Sequence, residues 1–217
     1  MLTLDRAVRG ADDDAFFSQI NEDRIGYMNS NGSNIRLPGP SDAERFRKSM
    51  DDNLISAIIC LPEKVTAPVL QLCLNIAFNA YMLTVRAVEG ADQERAGTPI
   101  GQVHLSGSSI RMAHHRNTEI GIDILPAYQG KGYGSEAIRW VLEYAFKRAG
   151  LHKVRIRAFG WNEGACRLYQ RLGFVLEGTE REALWHEGRF WDGLEFGMVD
   201  REWWALQEAE KQKDTVL

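Results

Sequence analysis

Cysteine is scarce in this chain of 217 residues: there are three, Cys60, Cys73 and Cys166, with no CxxC spacing among them. An odd, scattered set excludes a disulfide framework and a cysteine-ligated zinc site, and fits free thiols in a reducing compartment. Charge of one sign is also lacking, since 26 Lys and Arg stand against 30 Asp and Glu for a net −4. No basic field exists to hold a phosphate backbone, so a nucleic-acid partner is not expected. Long hydrophobic runs are missing too. The most apolar stretch, Val69 to Val85, is broken by Gln71, Asn75 and Asn79. A spanning helix needs roughly 20 mostly apolar residues, so this stretch reads as a buried or partner-facing helix and no membrane partner is expected. The opening MLTLDRAVRGADDD has no apolar core of signal-peptide length and turns acidic at Asp12, Asp13 and Asp14. The expected address is intracellular, cytoplasmic with the nucleus left open.

What is present is an ordinary globular composition, 44% hydrophobic, 26% charged and 10% aromatic, which fits a single domain over 1–217. Leu2 to Val8 alternates weakly as an opening strand, and the Asp12 to Asp14 run suits the positive end of a helix. Asn29 to Pro40 reads as a loop, and Ser41 with Glu44 three residues on reads as a capping box opening a helix through Met50. Leu54 to Leu61 and Ile100 to Leu105 read as strands, separated by an insert over 62–99 that is long for a strand connection.

The second half has sharper signals. Ile120, Ile122 and Ile124 alternate with Glu119, Gly121 and Asp123, giving a strand with one polar face that Pro126 stops. Ile138, Val141, Leu142, Ala145 and Ala149 recur at helical spacing up to Gly150, a left-handed cap. Val154, Ile156 and Ala158 alternate as the next strand, and Asn162 is a natural N-cap for a short helix that Gly173 ends. Phe174 to Leu176 opens a strand, and Ala183 to Val199 reads as an aromatic-rich hairpin around Glu187-Gly188. The order defines an α/β fold with a mixed sheet.

Between strand and helix lies Gln129-Gly130-Lys131-Gly132-Tyr133-Gly134. Its amides sit at the positive end of a helix, which makes an anion site, and Lys131 adds charge at the rim. The Walker spacing does not fit, and neither does the dinucleotide fingerprint with its acidic partner about 20 residues on. A tight turn alone would leave the function open. With Asn162, Ala165 and Tyr169 following as N-x-x-A-x-x-x-Y, and then Leu172 to Phe174 as LGF, the sequence resembles the GNAT superfamily of acyl-CoA N-acyltransferases. Within it, the resemblance is to the branch of ribosomal-protein N-terminal and spermidine acetyltransferases, and it spans roughly 98–204, leaving 207–217 as a tail.

That resemblance implies a mostly antiparallel sheet flanked by helices, with a splayed strand pair forming an acyl-CoA cleft. It implies acetyl-CoA as cosubstrate and no metal. Gln129, Gly130, Lys131, Gly132, Tyr133, Gly134 and Ser135 would hold its pyrophosphate, and Asn162, Ala165 and Tyr169 its pantetheine and thioester. Backbone amides near Ile122, Asp123 and Ile124 would stabilise the oxyanion. The acceptor amine, with a pKa of about 10, is protonated at neutral pH and needs a base. Glu119 is the first choice, Asp123 the second, and Tyr169 is the acid for the leaving thiolate.

Bland readings stand beside these. Glu119 and Asp123 also fit a solvated strand face, Tyr169 a core aromatic, and Cys166 a packed thiol rather than a nucleophile. His114-His115 would diverge in a strand and reads as surface loop. Trp185, Phe190 and Trp191 fit an amine pocket, a homodimer seam or plain core. The acceptor is a small-molecule amine or a peptide or protein amine. Against acetyl transfer stand a non-catalytic acyl-CoA-binding module and a partner-docking scaffold.

Overall fold

A computed structural model describes residues 3–6, 11–23, 26, 28–29, 39–61 and 97–215. Most of the insert expected at 62–99, including the apolar stretch Val69 to Val85 and Cys73, lies outside the described residues, as does most of the expected loop from Asn29 to Pro40.

Among the described residues, seven strands form one sheet in the order β1-β2-β3-β4-β5-β7-β6. These are β1 (Thr3–Arg6), β2 (Ile55–Leu61), β3 (Thr98–Leu105), β4 (Asn117–Ile124), β5 (Lys153–Phe159), β6 (Val175–His186) and β7 (Arg189–Val199). Every neighbouring pair is antiparallel except β4 and β5, which run parallel. Helices whose bounds lie among the described residues include α1 (Ala11–Glu22), α2 (Pro40–Ser49), α3 (Tyr133–Glu143), α4 (Glu163–Arg171) and α5 (Asp200–Thr215).

β2 shows how the sheet divides two cores. Its side chains alternate across the pleat, so Ala57 and Ile59 join one cluster while Ile58 and Cys60 join another. The first cluster is filled by Ile138, Val141 and Leu142 of α3, Tyr169 of α4 and Phe196 of β7. The second is filled by Phe16, Phe17 and Ile20 of α1 and Ala43 of α2, with Phe17 edge-on to Phe46 at 5.4 Å. A sheet covered on both faces explains why β2 reads as a continuous apolar run.

Four local expectations change. The first turn of α2 is capped by Gly39 rather than Ser41: Pro40 takes the first helical position, and the Asp42 carboxylate accepts from the Gly39 N–H at 2.8 Å. Proline fits there because its missing N–H would be unpaired anyway. The expected helix to Ala149 is α only to Glu143, and Tyr144–Arg148 form a π turn. That wider turn buries Ala145 and Phe146 side by side, and Phe146 meets Trp203 of α5 at 5.6 Å. The two stretches expected as a strand start and a hairpin arm are one strand, β6, bent by register shifts between Leu176 and Gly178 and between Glu180 and Leu184. The stretch expected as a tail from 207 is helical to Thr215.

Candidate active site

β4 and β5 pair only over Asn117–Lys153, Thr118–Val154 and Glu119–Arg155. Beyond Glu119 the strands part. Ile120 to Ile124 stay with β3, while Ile156 to Phe159 stay with β7. The opening is one wall of a cleft of about 1040 Å³ that runs to the start of α3.

Ladder alternation decides which β4 amides face the opening. Ser106 N–H donates to the Glu119 carbonyl and Leu125 N–H to the Ile100 carbonyl, so the odd residues of β4 direct their backbone groups at β3. Ile122 and Ile124 therefore direct theirs the other way, where β5 has left. The Asp123 amide faces β3, and its side chain is what reaches the cleft. The Ile124 carbonyl is held by the Gln129 side chain, whose Nε2 donates to it at 2.8 Å.

The glycine loop closes the cleft at the N-terminus of α3. Gly132 is the N-cap at φ +90° and Gly130 sits at φ +71°, both in the region that favours glycine. No side chain caps this helix start, and a Cβ built on Gly130 or Gly132 would meet nothing within 4 Å. Free amides at a helix N-terminus beside open space form a cradle for an anion. Gly130, Gly132, Tyr133, Gly134 and Ser135 all line the cleft. Lys131 is placed elsewhere: its Nζ donates to the Ala127 carbonyl at 2.7 Å and lies 5.4 Å from the Tyr128 ring centre.

On the opposite wall, the Asn162 Oδ1 accepts from Ala165 N–H at 3.1 Å and caps α4. Ala165, Leu168 and Tyr169 follow on the face turned to the cleft. Tyr169 is 6% exposed, its ring edge-on to Phe196 at 5.8 Å. Burial, with Asp123 adding to it, pushes its phenol well above the usual range, so it keeps its proton at neutral pH. Cys166, one residue off that face, has its thiol pushed up by burial, which disfavours the nucleophilic thiolate.

Glu119 and Asp123 both reach the cleft, and each has a partner. The Glu119 carboxylate accepts from Arg157 Nε at 2.7 Å, and this bond holds the guanidinium above its usual pKa. Asp123 accepts from Gln102 Nε2 at 2.7 Å. The chain continues through Gln102 Oε1 to His104 Nδ1 at 3.0 Å. His104, Gln102 and Arg157 were not singled out from the sequence. A signal was present, because Gln102 and His104 are polar residues at a spacing of two in the otherwise apolar Ile100 to Leu105. Glu180 of β6 and Glu195 of β7 add two more carboxylates to this end of the cleft.

The remaining candidates lie away from it. His114 and His115 sit in a 3₁₀ turn, where their exposed rings approach to 3.9 Å instead of diverging across a strand. Trp185 and Phe190 meet edge to face at 4.9 Å on the exposed hairpin tip. Trp191 is covered by the Arg189 guanidinium at 3.5 Å and donates from Nε1 to the His186 carbonyl at 3.1 Å. None of these three aromatics lines the cleft.

A parallel pair that splits, with amides free in the split and an uncapped helix N-terminus at its mouth, gives this cleft two sets of backbone donors, the kind of group that suits an anion. Residues 2–175 match the family described as Acetyltransferase (GNAT) domain, and the chain belongs to it. The spermidine N(1)-acetyltransferase of Vibrio cholerae is 38% identical over 78 residues, 36% of this chain and 45% of that one. A Bacillus subtilis protein whose name is that of a ribosomal N-acetyltransferase is 35% identical over 97 residues, 45% of this chain and 51% of that one. The chain spans about half the length of the curated relatives it matches. In fold, it is similar to the crystal structure of the Vibrio cholerae spermidine N-acetyltransferase in complex with CoA and spermine, with TM-score 0.64, 22% identity and coverage of 93% and 96%.

Proposed function

We propose that this protein transfers an acetyl group from acetyl-CoA to a primary amine. The observation that carries the reading is the β4–β5 split, which turns the Ile122 and Ile124 amides into the cleft beside the uncapped start of α3. The family and its CoA-bound structural relative agree with it.

Bound acetyl-CoA supplies the thioester carbonyl that the amine attacks. The glycine-loop amides from Gly130 to Ser135 bind its pyrophosphate, for which the positive-φ glycines leave room. The Ile122 and Ile124 amides donate to the carbonyl oxygen as negative charge builds there. Tyr169, buried and protonated, supplies the proton that the departing sulfur needs. Glu119 takes a proton from the incoming ammonium, and Asp123 lies four residues further along the same strand face.

The acceptor end is rich in carboxylates, with Glu119, Asp123, Glu180 and Glu195 against Arg157. Such a wall favours a cationic amine such as a polyamine, and two of the similar proteins carry the name spermidine acetyltransferase. Asn21 of α1 also faces this space, 8% exposed, its Nδ2 without a partner among the described residues. The test is release of coenzyme A thiol from acetyl-CoA with spermidine, spermine, peptides with a free N-terminus and lysine peptides. Turnover with spermidine above the peptides is expected. Acetyl-CoA binding with no turnover on any amine would leave a binding module, and absence of binding would overturn the assignment.

A further inference from the structure

Two protons leave the nitrogen when an ammonium becomes an amide. Glu119 accounts for one. We propose that His104 is the second proton acceptor, taking the proton from the attacking nitrogen on its Nε2 as the N–C bond forms. This rests on the acetyltransferase reading above and adds a residue to that site.

The geometry fixes which ring nitrogen is available. A carboxylate only accepts, so the Gln102 amide must turn its NH₂ toward Asp123 and its oxygen toward His104. Gln102 is 1% exposed, so its amide is held by these two partners. His104 Nδ1 therefore carries the hydrogen and donates to Gln102 Oε1, which leaves the lone pair on Nε2. Nε2 has no partner among the described residues, and His104 lines the cleft.

Gly121 makes room for that ring. His104 and Gly121 face each other across the β3–β4 ladder, and a Cβ at 121 would come within 2.1 Å of His104 Cε1 and 2.4 Å of Nε2. Any other residue there would displace the imidazole. The ring then lies on the polar strand face between Asp123 and Glu119, at the point where β4 leaves β5.

Burial holds the imidazole neutral down to about 4, with Glu119 opposing that effect, so the lone pair persists through the neutral range. A neutral ring does not repel the cationic substrate. Its low basicity is no obstacle, because a nitrogen that is bonding to a carbonyl carbon becomes a far stronger acid than the free ammonium.

The protons balance as follows. One leaves the ammonium through Glu119 to water. The nitrogen lone pair forms the N–C bond and its second proton passes to His104 Nε2. The C–S bond breaks with its electron pair on sulfur, which takes a proton from Tyr169, and the proton on His104 returns to Tyr169 through water.

The experiment compares wild type with His104→Gln and His104→Gly, using acetyl-CoA and spermidine. His104→Gln should lower kcat by about 10²-fold with acetyl-CoA affinity unchanged, and added imidazole should restore a measurable part of the His104→Gly rate. Unchanged affinity in both variants shows that the fold is intact. A structural role alone would not give rescue by imidazole. Independently of turnover, ¹⁵N resonances of the His104 ring should report the neutral Nδ1–H form at neutral pH, with Nε2 shifting when spermidine is added to the CoA-bound protein. A full-rate His104→Gln beside an active wild type would overturn the role of His104 alone, as would a charged ring or an Nε2–H form. A wild type inert toward every amine would overturn the acetyltransferase reading and this proposal with it.

Discussion

Tyr169 is both a core aromatic and the cleft's phenol. The ring packs on Phe174 and Phe196 as a core aromatic, and the same residue lines the cleft. Tyr169→Phe keeps the packing and removes only the hydroxyl. It should lower kcat by about 10²-fold and leave acetyl-CoA affinity unaltered by titration calorimetry. His104 gives a second consequence at this scale. The unfolded chain takes up a proton on this residue near 6.5, and the folded one refuses it until about 4. The charged groups facing it are Glu119 directly and Asp123 through Gln102. Its contribution is therefore complete above the unfolded value and is lost as pH falls through that window. Urea unfolding should show wild type losing up to about 3 kcal/mol more than His104→Gln over that range.

At the scale of elements, the start of α4 was the most legible helix end. Asn162 caps α4 as its sequence position predicts, because a polar side chain ahead of a helix can accept from an orphan N–H without any tertiary help. Asn162→Ala should lower stability by about 1 kcal/mol, a fall of about 2–4 °C in melting temperature, and weaken acetyl-CoA binding if the same side chain meets the pantetheine arm. The glycine loop was equally plain. What its pattern does not show is that Lys131 turns to Ala127 and Tyr128. A lysine stem has many rotamers, and nearby acceptors choose among them. Gly132→Val combines strain at φ +90° with bulk in the cradle. Coenzyme A should raise the melting temperature of wild type and leave that of this variant unmoved by scanning fluorimetry. The α2 cap was misplaced because Ser41 and Glu44 mimic a capping box. Pro40 takes the first helical position, and Gly39 with Asp42 satisfies the start of the helix instead.

Across the whole molecule, the cleft opens at one interruption of the sheet. Among the described residues six strand pairings form, and the one parallel pairing, β4 with β5, stops after Glu119. The cleft then gathers residues from α1 to β7, including Asn21, His104, Asp123, Arg157, Tyr169 and Glu195. The sequence by itself determined the α/β class, the polar face of β4, the glycine loop and the Asn162 to Tyr169 segment. Those are set by local rules: period-two and period-3.6 burial, capping, and the freedom of glycine at positive φ. Only the tertiary structure decided that Asp123, Gln102 and His104 form one hydrogen-bonded line, that Arg157 pairs with Glu119, and that Gly121 is vacant space for an imidazole. Strand register makes each of these contacts, and register joins residues far apart in the chain through hydrogen bonds that no local pattern encodes.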